Sequence, residues 1–491
     1  MKIIVKAIAK NIASNLAMNL SLMGAIKLIA INLGPYGVGL FSIIRQMIGT
    51  FSSLGLGAQG GVILGVSSHK SLKQSKFIFV SLLYFIIVAV SMSLVLQLFA
   101  SNFSQLIFNN SRDYVGIIKL TTLPVILTII YIFMRSIVNG LGLINQLAFL
   151  ETVGPLSLLF LFAVMFYGSF RYQNISYATL FILISSLSLI FANLYAFWTL
   201  KRNNVIIRFD SFKQISLGYE IKFFIKTAGI TIITGLVSAF SIFFSRLLIV
   251  NKVGLSEAGI FDAAWTLSNT YPLLLLGVFG TYFLPTLASH NKNVLQIKLI
   301  NNMLRVSFLF ITPLICLILI LKPLVISVFF SQKFIASVHI FKWLLISDFL
   351  KVSSWAFSNA LIAKKEMKIY FWSEILWYLG FLLWVNTTLL FTSNLEFLTA
   401  GIIALYFFSN LNYLYWINRI FRTNFLKDNL FLWLTSLSSI IIFSVISWHH
   451  SDFSFWQLIF FMLFLATYFK LFISNEEMQY INNKFKGILN R

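Results

Sequence analysis

Long apolar runs separated by short polar turns fill the chain from end to end. Fourteen of them have roughly the length, about 17–25 residues, that lets a helix cross the ~30 Å hydrocarbon core of a bilayer. They are residues 11–33, 38–65, 77–100, 114–138, 147–169, 175–199, 227–250, 258–287, 306–330, 338–362, 369–391, 397–417, 429–448 and 455–474. The runs are continuous rather than alternating, so they predict helices and not the short strands of a membrane barrel. One long polar connection, 200–226, divides the series after the sixth run. The pattern predicts an all-α polytopic membrane protein of about fourteen transmembrane helices. A twelve-span reading would merge or drop a pair near 397–474.

Composition narrows the class further. Of 491 residues, 59% are hydrophobic and 10% are charged, where a soluble domain carries about 25% charged residues. No stretch is polar enough for a separate soluble domain, which excludes cytosolic and secreted enzymes and disordered regulators. The formal net charge of +23 would point to nucleic acid in a soluble chain. Here the spans sort the cations by side. Lys2, Lys6 and Lys10, the loop with Lys70, Lys73 and Lys76, six cations of the 200–226 connection, the later turns at 292–305, 364–368 and 419–427, and the tail make 25 on one side. Arg112, Arg171, Lys252 and Lys333 make 4 on the other. Cytoplasmic loops collect Lys and Arg, so both termini are expected in the cytoplasm, and no nucleic-acid partner is implied. The basic N-terminus resembles a signal peptide, but its apolar stretch runs to Leu33 without a small-residue cleavage site, so it reads as a retained first helix. The single cysteine, Cys316, lies in an apolar run and reads as a small apolar filler.

An internal repeat organises the chain. Leu33-Gly34-Pro35-Tyr36-Gly37-Val38-Gly39-Leu40-Phe41 aligns with Val253-Gly254-Leu255-Ser256-Glu257-Ala258-Gly259-Ile260-Phe261 at an offset of 220. Gly57 and Gly60 then fall on Gly277 and Gly280, and after a one-residue slip Ser68-His69 falls on Ser289-His290. Six intervening spans keep the same topology in both copies, a parallel repeat about an axis along the membrane normal; transporters place substrate between such halves. The division predicted is an N-terminal lobe, 1–199, with spans one to six; a cytoplasmic linker, 200–226; a C-terminal lobe, 227–417, with spans seven to twelve; and two extra helices with a cytoplasmic tail, 418–491.

Eight cations remain inside spans: Lys27, Arg45, Lys119, Arg135, Arg246, Lys322, Lys342 and Lys351. A cation at mid-helix costs about 2.5–3.5 kcal/mol on insertion scales. Lys119, Arg135, Lys322 and Lys342 lie nearer span ends, where snorkelling offers a way out. Lys27, Arg45, Arg246 and Lys351 are deeper. On the second span Ser42, Arg45, Gln46, Gly49, Ser53, Gly57 and Gly60 recur every three or four residues, which sets them on one helix face. The eighth span has a matching stripe of Asp262, Thr266, Asn269, Gly277 and Gly280. Asn11, Asn15 and Asn19 lead to Lys27 on the first span, and Thr231, Thr234, Ser238, Ser241 and Ser245 run beside Arg246 on the seventh. These four stripes are expected to face a shared cavity, although small residues at this spacing also serve close helix packing. In the first lobe the embedded cations outnumber the single acid, Glu151, so the cavity is expected to be net positive and its cargo an anion. A phosphate or pyrophosphate suits a guanidinium fork beside an ammonium. Lys27, Arg45, Gln46, Arg246 and Lys351 are therefore the candidate substrate-binding residues. Asp262, Asp348 and Glu374 are candidates for coupling or ion pairing, with Asp348 and Lys351 placed to pair at i,i+3. The five histidines lack metal-ligand spacing, and no P-loop, nucleophile elbow or dinucleotide turn occurs. Neither a metal, a cofactor nor an enzymatic activity is expected.

Asn32-Leu-Gly-Pro-Tyr-Gly-Val-Gly-Leu-Phe41 after the first span, Ala258–Trp265, and Tyr282-Phe-Leu-Pro-Thr-Leu287 resemble the Wzx-type polysaccharide flippases of the multidrug/oligosaccharidyl-lipid/polysaccharide (MOP) exporter superfamily. Asp348-Phe-Leu-Lys351-Val-Ser-Ser-Trp355 with Ala363-Lys364 is similar to the O-antigen and common-antigen translocases. The resemblance implies two six-helix lobes around a central cavity, two extra C-terminal helices, and a place in the bacterial inner membrane. It implies alternating-access flipping of undecaprenyl-diphosphate-linked oligosaccharide to the periplasmic leaflet, with a cationic lumen on Lys27, Arg45, Arg246 and Lys351. A polysaccharide polymerase and a chain-length regulator are the protein partners it implies, beside membrane lipids. A lipid II flippase or a drug/cation antiporter of the same superfamily are the competing expectations; the antiporter needs acids in the spans of the first lobe, which hold only Glu151.

Overall fold

The computed structural model describes residues 2–68, 72–107, 114–168, 175–203, 205, 218–272, 283, 286–287, 293–423, 426–447 and 455–473, with the backbone alone at 2–13, 72, 426 and 428. Among these residues the chain is helical throughout and has no strand. The helices are α1 (Lys2–Phe51), α2 (Ser53–Ser68), α3 (Leu72–Leu98), α4 (Ala100–Ile107), α5 (Val115–Leu120), α6 (Thr122–Gly140), α7 (Ile144–Tyr167), α8 (Tyr177–Arg202) and α9 (Gly218–Thr270). They continue with α10 (Asn293–Phe329), α11 (Ser337–Ala363), α12 (Met367–Phe391), α13 (Leu395–Phe421), α14 (Leu426–Ile446) and α15 (Phe455–Phe472).

Two of these helices are too long to cross once. At 1.5 Å per residue, fifty residues would extend about 75 Å, more than twice the bilayer core. Each is broken by one glycine with left-handed backbone: Gly34 in α1 (φ 65°, ψ −158°) and Gly254 in α9 (φ 88°, ψ 169°). An L-residue pays for positive φ with a Cβ–carbonyl clash, so both turns need glycine. Gly34 and Gly254 are also aligned positions of the 220-residue repeat. Among the described residues, eleven stretches are long and apolar enough to span a membrane. Because α1 and α9 each reverse, and because α11 crosses the bundle with Lys342, Asp348 and Lys351 buried in it, the described helices accommodate fourteen crossings.

The helices pack as two bundles. In the first, α1 lies on α7, α6 on α3 and α8, α7 on α8, and α2 on α6. In the second, α11 lies on α10 and α13, α12 on α9 and α13, and α14 and α15 lean on α10. The seam between them is made by α1 and α2 against α9, and it is closed by glycines. A Cβ at Gly39 would sit 2.1 Å from the Leu255 carbonyl oxygen, and one at Gly259 would sit 2.0 Å from that of Pro35. Backbone therefore meets backbone at the end of the seam that carries the two turns. Further along, Gly57 lies against Ile232 and Gly61 against Ala228, again too close for any side chain. Small residues allowing such approach are how helices associate without a hydrophobic driving force. The outward faces carry Phe160, Phe391 and Trp456, each more than 60% exposed, as surfaces in contact with hydrocarbon should. The repeat partners Gly277, Gly280, Ser289 and His290 lie outside the described residues, as do His69, His449 and His450.

Candidate functional site

Residues flanking the glycine turns face one another at equal depth. Arg246 stands eight residues before Gly254 and Asp262 eight after it. A straight helix would hold them about 24 Å apart; across the turn they form a buried ion pair, Arg246 Nη1 to Asp262 Oδ1. Arg246 Nη1 also donates to Ser42 Oγ of α1, so this guanidinium joins the two bundles. Ser42 is the repeat equivalent of Asp262: both acceptors of Arg246 come from the same position of the two copies. Arg45 lies one turn from Ser42, half-buried, its guanidinium 5.9 Å from the centroid of the Phe41 ring. Among the described residues, two guanidinium groups and one carboxylate thus share the seam.

Other contacts between helices come from Thr231 and Lys27 of the stripes and from Thr50 and Asn251 outside them. Thr231 Oγ1 donates to the Gly57 carbonyl at 2.7 Å, and Thr50 Oγ1 to that of Ala239 at 3.3 Å. Asn251 Nδ2 donates to the Leu106 carbonyl at 2.8 Å. Lys27 crosses from α1 to donate to the Val328 carbonyl of α10. Ser42, Gly57, Thr231, Arg246 and Asp262 of the stripes therefore meet at the seam, while Lys27 reaches α10, Asn269 turns to Lys351 on α11, and a Cβ at Gly49 or Gly60 would meet nothing within 4 Å. Gln46 is half-buried beside Arg45.

No protein-family model matches the chain. Over 370 residues it is 27% identical to the lipid III flippase of Escherichia coli (strain K12), covering 71% of this chain and 82% of that protein, and equally to the lipid III flippase of Shigella flexneri. Among solved structures, an inward-facing multidrug MATE transporter of the MOP superfamily superposes with a TM-score of 0.69 at 14% identity, over 84% of this chain and 98% of the other. The lipid II flippase MurJ in an inward closed conformation superposes with a TM-score of 0.69 at 16% identity, over 96% and 99%. The chain has the MOP exporter fold. The resemblance to lipid-linked oligosaccharide flippases expected from the turn motif and the 348–364 segment agrees with this similarity to the lipid III flippases.

The remaining charges sit apart from the seam cluster. Asp348, fully buried on α11, accepts from Ser268 Oγ at 2.8 Å, Tyr271 Oη at 2.8 Å and Lys351 Nζ at 3.0 Å. Lys351 Nζ also donates to Asn269 Oδ1 at 2.9 Å. The i,i+3 pairing is thus present, and it ties α11 to α9. Glu374 on α12 accepts from Tyr413 Oη at 2.8 Å. Lys351 and Glu374 belong to an interior chamber of the second bundle rather than to the seam. Arg135 pairs with Glu151 within the first bundle, and Lys119 is exposed. Lys322 and Lys342 do not snorkel: they are 2% and 3% exposed. Lys322 Nζ is held by the Ser447 carbonyl and hydroxyl oxygens at 3.2 and 3.1 Å, and Lys342 lies 3.5 Å from Glu396. No group of three His, Cys, Asp or Glu side chains among the described residues is placed to hold a metal ion.

The sequence offers Arg246 as a substrate-binding candidate and Asp262 as a candidate for coupling or ion pairing, without naming one as the other's partner. The signal for their pairing was present: they are equidistant from a glycine that the repeat marks as a turn.

Proposed function

We propose that this chain is a non-catalytic flippase of the inner membrane that moves undecaprenyl-diphosphate-linked oligosaccharide from the cytoplasmic to the periplasmic leaflet. The observation that carries this reading is the pair of guanidinium groups, Arg45 and Arg246, at the seam between two bundles of a MOP fold, with one carboxylate between them. A diphosphate head cannot leave water without compensation, and planar guanidinium forks meet phosphate oxygens bidentately. The polyprenyl tail stays in the bilayer while the head passes along the seam. The two bundles move as the lobes 1–199 and 227–417 about the repeat axis, both termini facing the cytoplasm. The glycine contact at Gly39 and Gly259 is then the periplasmic closure. The lipid III flippases of similar sequence support the cargo class, and a polysaccharide polymerase and chain-length regulator complete the machinery that uses the product.

The test is complementation of a flippase-null strain. Arg45→Ala, inserted at normal levels, should fail to restore surface polysaccharide and should leave sugar-loaded carrier on the cytoplasmic side; Arg45→Lys should restore part. Full complementation by Arg45→Ala would remove Arg45 from headgroup binding. Loss of cationic-dye efflux with polysaccharide intact in the deletion strain would make the chain an antiporter instead.

A further inference from the structure

Inside the second bundle, α9, α11, α12 and α13 enclose a polar chamber of about 100 Å³, room for about three waters at ~30 Å³ each. It adjoins the seam: Ile242 on its wall is one turn from Arg246, and Trp265 is three residues from Asp262. Its walls are aromatic. Trp377 stacks on Phe381 with centroids 5.5 Å apart and planes 6° apart. Trp265 continues the wall 5.6 Å from Phe381, and Tyr406 closes it 4.9 Å from Trp377. Glu374 and the Lys351–Asn269 pair supply the polar lining. Trp377 Nε1 is buried and meets no acceptor among the described residues, although a buried donor in a membrane-spanning bundle is as a rule satisfied.

The chamber is too small for a sugar ring and the right size for one ring substituent. The lining asks for three things: an acceptor for the Trp377 indole N–H, a donor for the Glu374 carboxylate, and a small apolar group for the aromatic wall. A hydroxyl supplies the first two and not the third. A carboxylate suits Lys351 but is repelled by Glu374. An acetamido group supplies all three, with its carbonyl, its N–H and its methyl. We propose that this chamber is a specificity subsite for an acetamido substituent on a sugar of the lipid-linked cargo, with Trp377 donating to the carbonyl, Glu374 accepting from the amide and the indole wall covering the methyl. The proposal rests on the flippase reading above. Diphosphate and sugar would then be held one helical turn apart, by the seam and by the chamber.

The experiment measures binding to the purified full chain in lipid nanodiscs. Three probes are compared: farnesyl diphosphate, and the same carrier bearing either N-acetylglucosamine or glucose. The acetamido probe should bind on the order of tenfold more tightly than the glucose probe, as expected where a buried donor is otherwise unpaired. Glu374→Met and Trp377→Phe, which removes the N–H while keeping an aromatic ring, should each bring that ratio to about one; bare farnesyl diphosphate reports whether each variant is folded. Equal affinity of the unaltered protein for the two sugar probes, with farnesyl diphosphate still bound, overturns the subsite and leaves the flippase reading standing. Failure to bind any of the three diphosphates overturns the flippase reading, and the subsite with it.

Discussion

The two glycine turns share a backbone and differ in chemistry. Gly34 and Gly254 adopt the same left-handed conformation, and each is followed five residues on by a glycine, Gly39 or Gly259, that presses on the other copy. Phe41 and Phe261 are equivalent, and each offers its ring to the residue four further along. In the first copy that residue is Arg45, 5.9 Å from the Phe41 centroid; in the second it is Trp265, stacked 5.7 Å from Phe261. Ser42 and Asp262 are likewise equivalent, while Ile26 stands where the second copy has Arg246. The repeat thus sets the turn and the platform, and divergence assigns the chemistry: a guanidinium over a phenyl ring in one copy, an ion pair and an indole in the other. Symmetric geometry with asymmetric chemistry suits a cargo with an anionic end and a saccharide end.

The largest effect should come from breaking the shared backbone contact. Gly259→Val places atoms where the Pro35 carbonyl already lies, so the seam must open; flipping should be abolished and the melting temperature in detergent should fall by many degrees. Gly60→Ala, with nothing within 4 Å of the added methyl, should leave both unchanged. A functional Gly259→Val would mean the closure is dispensable.

Next in size is the asymmetry itself. Asp262→Ala leaves Arg246 buried and unpaired, a loss of about 3–5 kcal/mol of stability. Ser42→Ala, at the equivalent position, removes one hydrogen bond, about 1–2 kcal/mol. The double change Arg246→Leu with Asp262→Leu should be milder than Asp262→Ala alone. Equal losses for Asp262→Ala and Ser42→Ala, read by denaturant titration in micelles, would deny that the charge pair belongs to one copy.

The turns should behave alike. Gly34→Ala and Gly254→Ala should each cost about 1–3 kcal/mol, because positive φ with ψ near 180° is open essentially only to glycine, and a several-fold difference between them would show that the turns are not equivalent. The smallest effect belongs to Lys119→Ala: an exposed cation in the first copy should change neither melting nor transport, and a transport defect there would extend the cationic route beyond the seam.

Much of this was legible in the sequence. Apolar run length gave the helices, and the nonamer at offset 220 located both turns before any coordinates. The i,i+3 spacing of Asp348 and Lys351 announced their pairing. What could not be read was contact between distant helices. The chamber draws Trp265, Lys351, Glu374 and Tyr406 from four helices with no common spacing, so no periodicity exposes it. Lys322 and Lys342 lie near span ends, which suggests snorkelling, yet each meets an oxygen from another helix, Ser447 or Glu396. Burial of a cation depends on such a partner, and sequence position does not reveal one.

Reconstituted flipping tests the central claim most directly. Proteoliposomes carrying the unaltered chain, Arg45→Ala or Lys119→Ala would be loaded with a fluorescent polyprenyl-diphosphate-saccharide in one leaflet, and its appearance in the other would be timed. The unaltered chain and Lys119→Ala should flip at the same rate, and Arg45→Ala should be slower by about tenfold or more, as expected for loss of a charge-assisted phosphate contact. Equal rates for all three would contradict the assignment of the seam guanidinium groups to the diphosphate.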